Sequence, residues 1–201
     1  MKIGPKYKIA RRLGAPVFEK TQGPKYALSL ARKERTTSRR GRPKSEYGLQ
    51  LLEKQKARYS YGMTEGQFRV YVDKALRSST PVQKLFALLE TRLDNTLFRA
   101  GLAKTRFAAR QMASHGHALV NGRRVTVPSM GLKAGDKISV REGSAGSVLF
   151  ADAAERMKAL AAPAWIKADP EQRTAEVIGE PAYLPGEQLF DLGVVIEFYN
   201  R

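Results

Sequence analysis

Apolar positions recur at helical spacing through the first half of the chain. From Glu46 onward, Tyr47, Leu51 and Leu52 share one stripe, and Lys54, Lys56 and Arg58 gather near its far end. Cations in a last helical turn suit the negative end of the macrodipole, so that cluster is helix chemistry as well as candidate surface charge. Tyr59 and Tyr61 follow, placed to stack on bases or to pack against the next helix. Thr64 and Gln67 form a capping-box pair ahead of Phe68, Tyr71, Val72, Ala75 and Leu76, a stripe that reads as core. Thr80-Pro81 is a second start signal, with proline at the first helical position, and Leu85, Leu88, Leu89 and Leu93 are expected to point inward. Residues 46–100 read as a small helical domain.

After Gly101, a plausible helix stop, the pattern changes. Thr105 is expected to cap a short helix reaching about Ser114. Arg106 and Arg110, four apart, are expected on one exposed face near its positive end, a ready place for phosphates. Asn121-Gly122 lies between Ala118-Leu119-Val120 and Arg123-Arg124-Val125 and predicts a hairpin, because both central residues need positive φ. Gly135-Asp136 turns the chain into a strand at Ile138–Arg141. Gly143–Gly146 reads as a flexible turn, Trp165 as an anchor for the tail, and the alternation of Val194, Ile196 and Phe198 as a short strand.

Charge divides the chain unevenly. The 201 residues carry a net +17, of which residues 1–60 hold +13, residues 61–150 hold +8 and residues 151–201 hold −4. An excess of this size points to a polyanionic partner, met by the first two parts. The run Thr36–Lys44, with Arg39, Arg40, Arg42 and Lys44, lies in a stretch with few large apolar residues, so residues 1–44 are expected to order against that partner. The apolar fraction of the whole chain is 42%, ordinary for a folded protein rather than a fully disordered basic tail. The acidic tail is expected to pack on protein, because phosphates would repel it.

Catalytic chemistry is not legible. Cys is absent, which excludes disulfides, thiolate zinc sites and cysteine nucleophiles. His115 and His117 have no third ligand nearby, so the expectation is no metal, no cofactor and an RNA-contacting or internally satisfied pair. Ser114 has no placed acid. The longest compact apolar stretch, Leu85–Leu89, is far short of a membrane span, and Met1 to Arg12 has cations with no apolar run after them, so no secretion signal is expected.

The residues Arg92-Leu93-Asp94-Asn95, Thr105-Arg106, Ala109-Arg110-Gln111, Ser114-His115-Gly116-His117, Val120-Asn121-Gly122-Arg123 and Gly135-Asp136 resemble the small RNA-binding module named after the fourth protein of the small ribosomal subunit. Gly4-Pro5-Lys6, Arg11-Arg12-Leu13-Gly14, Tyr47-Gly48, Glu53-Lys54-Gln55-Lys56, Tyr61-Gly62, Gln67-Phe68-Arg69 and Val194–Tyr199 extend the resemblance to the bacterial-type ribosomal S-four family over nearly the whole chain. Some members hold zinc with four Cys near the N-terminus. This sequence has Tyr7 and Ala10 at two of those positions, so it resembles the zinc-free members.

The resemblance implies an α+β protein: a basic extension (1–44), a helical domain (45–91), the module (92–152) and a C-terminal segment (153–201) packing back on the helical domain. It implies a non-enzymatic, cytoplasmic ribosomal protein that docks on a helical junction of small-subunit rRNA, nucleates assembly of the subunit body and contributes to translational accuracy. The implied partners are that rRNA, neighbouring proteins (S-five, S-three and S-twelve among them) and mRNA near the path by which it enters. The candidate RNA-binding set is Arg11, Arg12, Arg39, Arg40, Arg42, Lys44, Lys54, Lys56, Arg58, Arg69, Thr105, Arg106, Arg110, His115, His117, Asn121, Gly122, Arg123 and Arg124. An RNA-modifying or RNA-chaperone protein using the same module is the alternative.

Overall fold

The computed structural model describes residues 3–36 and 45–200, which fall into two compact units. One unit comprises residues 1–85 and 184–201, and the other is the intervening 86–183. The arrangement is α+β.

In the first unit, α1 (Lys6–Leu13) follows Pro5 and ends at Gly14, whose φ of 70° lets its N–H return to the carbonyls of Ala10 and Arg11. A short 3-10 turn (Glu19–Thr21) leads to α2 (Pro24–Thr36). These elements enclose Phe18, with Ala10, Leu13, Val17 and Tyr26 buried around it. The N-terminal stretch therefore has a core, contrary to the expectation from its composition. The reason is that α3 supplies the missing wall through Leu52 and Tyr59, whose ring meets Phe18 edge-on at 5.7 Å. Counted alone, the segment lacks apolar volume, whereas packed on α3 it does not. Residues 37–44, with Arg39, Arg40, Arg42 and Lys44, lie outside the described residues.

Helix α3 (Glu46–Ser60) starts at Ser45, whose hydroxyl accepts from the Gly48 N–H. Helix α4 (Glu65–Leu76) begins with the expected reciprocal pair: Thr64 Oγ1 accepts from the Gln67 N–H, and Gln67 Oε1 accepts from the Thr64 N–H. Phe68, Val72 and Ala75 of α4 are buried, as their spacing predicts. The unit boundary falls within α5 (Pro81–Glu90).

In the second unit, α6 (Leu93–Arg99) and α7 (Arg106–Ser114) cover a five-stranded antiparallel sheet in the order β2-β1-β3-β5-β4. The strands are β1 (Ala118–Val120), β2 (Arg123–Arg124), β3 (Lys137–Val140), β4 (Ile166–Asp169) and β5 (Thr174–Val177). Asn121 (φ 51°) and Gly122 (φ 76°) make the β1–β2 turn in the predicted left-handed conformation. Leu93, Leu97, Leu102, Ile138, Phe150 and Val177 anchor the core, and Trp165 joins it.

Residues 153–183 fall in the second unit, where β4 and β5 extend the sheet beyond β3, in the register Ile138↔Ala175 and Ala168↔Ala175. Only the last stretch, from Leu184, joins the first unit. Gly143–Gly146 is not a loose turn. A one-turn helix, α8 (Glu142–Ala145), is held by the buried Ser144 hydroxyl, 2.9 Å from His117 Nδ1, and by Arg173 Nη1 donating to the Ala145 carbonyl. After α9 (Ala153–Ala159) and the hairpin, the chain ends in a helix, α10 (Leu192–Tyr199), where a strand was predicted. Asp191 caps it by accepting from the Gly193 N–H, and Leu192, Val195 and Ile196 are its buried face.

Candidate nucleic-acid interface

The second unit begins its surface at the start of α7. Thr105 Oγ1 accepts from the Ala108 N–H at 3.0 Å and fixes the first turn, as its position before the helix predicts. Arg106 and Arg110 do project from one face, but they are not free at the surface as expected. Arg106 Nε donates to Asn95 Oδ1 at 2.7 Å, its Nη2 lies 4.0 Å from Glu90, and its guanidinium stands over Phe98. Arg110 donates through Nε and Nη2 to Asp94 Oδ2 at 2.9 and 2.8 Å. Two arginines of α7 thus answer two carboxylates on α5 and α6.

Those carboxylates are the hidden part of the site. Glu90 and Asp94 are almost wholly buried, with side-chain exposures of 1% and 3%. Asp94 also takes Arg92 in a two-bond fork at 2.9 and 2.7 Å, and Glu90 takes Arg99 in another at 2.8 and 2.9 Å. Asn95 Nδ2 donates to both the carbonyl and the carboxylate of Glu90. The segment is pinned from outside by the N–H groups of Leu93 and Asp94, which donate to the carbonyls of Met130 and Pro128. Four guanidinium groups thus gather on two carboxylates, leaving a local excess of positive charge with the negative groups innermost. The sequence reading used Arg92-Leu93-Asp94-Asn95 as a family signature and gave it no role. The density of arginine around Glu90 and Asp94 was the signal that could have found the cluster.

At the other end of α7, His115 is exposed and His117 is half-buried against Phe150 and Ser144. Arg124 Nη2 donates to the His115 carbonyl, lying across Gly116, and so ties the hairpin to the end of α7. Arg123 and Arg124 are both exposed, as is the Asn121-Gly122 tip. Asn121 works inward: its amide donates to Asp136 Oδ1 and accepts from the Lys137 N–H, joining the two turns. Exposed Lys104, Lys133, Lys137 and Arg141 add cations that sequence reasoning did not select.

The candidates of the first unit separate in the same way. Arg12 and Arg69 are exposed, and Arg11 is half-buried with Nε donating to the Tyr7 carbonyl. Lys54 is turned inward: it is 9% exposed, 2.7 Å from Glu65 and 4.6 Å from the Phe198 ring centroid. Arg58 is engaged by Gln55 and Glu65, and Lys56 by Glu53. The cations at the end of α3 are thus paired within the fold, through side-chain carboxylates and an amide rather than through the helix dipole. Burial pushes the Glu65 carboxyl up, yet hydrogen bonds from Lys54 and Tyr199, with the charges of Lys54 and Arg58, bring it below its usual value. Burial and the same carboxylate raise the Tyr199 hydroxyl.

Among the described residues, no group of three or more His, Asp or Glu is placed to hold a metal, and no helix is long and apolar enough to cross a membrane.

Comparison with known proteins adds a family to this geometry. Residues 1–90 match the family model described as the ribosomal protein S4/S9 N-terminal domain, and residues 91–138 match the S4 domain. The chain is 42% identical to the small ribosomal subunit protein uS4 of Roseiflexus castenholzii, over 99% of this chain and 98% of that one. It is 39% identical to the uS4 protein of Latilactobacillus sakei and 40% identical to that of Persephonella marina, each over 98% of both chains.

Proposed function

The chain belongs to the uS4 family of small-ribosomal-subunit proteins, structural and non-enzymatic, and from that membership we propose that it binds small-subunit rRNA as an early, organising component of the subunit body. The observation that carries the proposal is the outward set of cations on the module: Arg123 and Arg124 on the hairpin, Lys104 beside the capped start of α7, and the guanidinium cluster behind it. Phosphates would be neutralised by these groups, and shape would select the RNA, because an A-form major groove hides its bases. Arg12, Arg69 and the run Arg39, Arg40, Arg42 and Lys44 would extend the contact from the first unit. Lys54, Lys56 and Arg58 are left out of it.

The finer reading follows the family. The RNA feature is a helical junction, the neighbours are S-five, S-three and S-twelve, and the mRNA passes close by. The contribution to translation is assembly and accuracy, exercised in the cytoplasm. The non-enzymatic family sets aside the RNA-modifying alternative.

A competition assay tests the proposal. Labelled small-subunit rRNA bound to the full chain should survive a large excess of unrelated duplex RNA at about 150 mM salt. Displacement in proportion to added phosphate would reduce the protein to a non-specific polycation and overturn the reading.

A further inference from the structure

We propose that Glu90 and Asp94 are positioning residues for RNA: two buried acids that hold Arg99, Arg106 and Arg110 in a fixed array facing phosphates. The inference deepens the rRNA-binding reading and rests on it.

An acidic group inside an RNA-binding surface is at first sight a defect, since it repels the ligand and subtracts from the attraction of every neighbouring cation. Here the two carboxylates are the least exposed members of the cluster, at 1% and 3%, whereas Arg99, Arg106 and Arg110 retain 26%, 18% and 23% of their side-chain surface. The negative charge is withdrawn and the positive charge forms the rim. An approaching phosphate meets guanidinium groups first.

The geometry of the bonds explains what the acids contribute. A free arginine has several rotatable bonds and loses their freedom when it grips a phosphate. Glu90 fixes Arg99 through a two-bond fork, and Asp94 fixes Arg110 through Nε and Nη2 while carrying Arg92 as well. Asn95, itself bonded to Glu90, fixes the Nε of Arg106. Each guanidinium is held by its Nε edge or a fork, so its plane is set before RNA arrives. This is preorganisation of the kind that raises affinity by lowering the ordering cost of binding. Four guanidinium groups on two carboxylates keep the array net positive. Backbone bonds from Leu93 and Asp94 to Met130 and Pro128 hold the carboxylate-bearing segment in register with the rest of the unit.

The hypothesis has an outcome opposite in sign to simple electrostatics. Glu90→Gln and Asp94→Asn each remove a negative charge and raise the net charge by one. If charge alone governed binding, both variants would bind RNA more tightly and with a steeper salt dependence. If the acids position the arginines, affinity for small-subunit rRNA should fall about tenfold, the effect of about one well-oriented charged contact. The log–log salt slope should become shallower by about 0.9, one phosphate's share. Affinity for an unrelated duplex should hold or rise.

The measurement uses the full chain, at a temperature where circular dichroism shows wild type and variants equally folded. Tighter binding of both RNAs by the variants overturns the proposal. Should either variant fail to fold, Arg106→Lys and Arg110→Lys decide instead. Lysine keeps the charge but loses the planar fork, so the positioning account expects the same loss of rRNA affinity, and wild-type affinity in both overturns it. Wild type that fails to prefer rRNA over the unrelated duplex instead refutes the functional reading on which this one rests.

Discussion

Lys54 shows how much a single side chain's environment decides. In sequence it stands in a basic cluster near a helix end, indistinguishable from a phosphate ligand; in the fold it is buried between Glu65 and the rings of Phe198 and Tyr199. Replacing it with Ala removes the ion pair and the packing of its stem, and should cost about 2 kcal/mol in chemical unfolding. The affinity of the folded variant for rRNA should stay within about twofold of wild type, because the electrostatic share of one phosphate would be larger. A strong loss of affinity without destabilisation would return Lys54 to the RNA surface. Its partners give the protein a pH signature. Glu65 titrates below its ordinary 4.5 in the fold, so its contribution is fully present above that value and is lost as pH falls through the lower, folded one. Tyr199 is raised, so its contribution is present below 10 and fades as pH climbs above it. Glu65→Gln should flatten the acid limb of stability against pH and Tyr199→Phe the alkaline limb. Limbs identical to wild type would mean that the trio is not formed in solution.

Elements defined by local rules were legible in the sequence, whereas elements defined by partners far along the chain were not. The capping pair of α4, the Thr105 cap and the Asn121-Gly122 turn depend on residues within four positions, and each stands where its residues predict. The ending was misread because Val194–Tyr199 suits two periods. Alternation picks out one face of a strand, while Leu192, Val195 and Ile196 form a helical face explained by packing on α3 and α4, more than a hundred residues earlier. There Tyr47 meets Phe198 at 5.5 Å, and Glu53 accepts from the Asp191 N–H. The β4–β5 hairpin was missed for the same reason: its place is set by pairing with β3, not by its own residues. In the candidate site, the hairpin arginines were visible and the acids beneath α7 were not, because an acid in a basic surface reads as noise until its burial is known. Leu192→Ala tests the assignment of α10. Leu192 is fully buried, so truncation should cost about 2–4 kcal/mol. A cost below about 0.5 kcal/mol would mean that this helix does not pack as described.

For the molecule as a whole, charge is the property that links sequence to function. A net +17 with the excess in the first 150 residues is more than the internal ion pairs consume, since Arg12, Lys104, Arg123, Arg124, Lys133 and Lys137 are exposed. The cations nearest the core are tied to Glu65, Glu90 and Asp94, and the outward ones remain for a polyanion. The uS4 family supplies the polyanion's identity. The most direct test is the salt dependence of the full chain's binding to small-subunit rRNA. With 6–10 phosphates neutralised, a number suited to this surface, affinity should fall by roughly 10³–10⁵ between 50 and 200 mM salt. An affinity nearly constant across that range would contradict the account, because the exposed cations would then not be what holds the RNA.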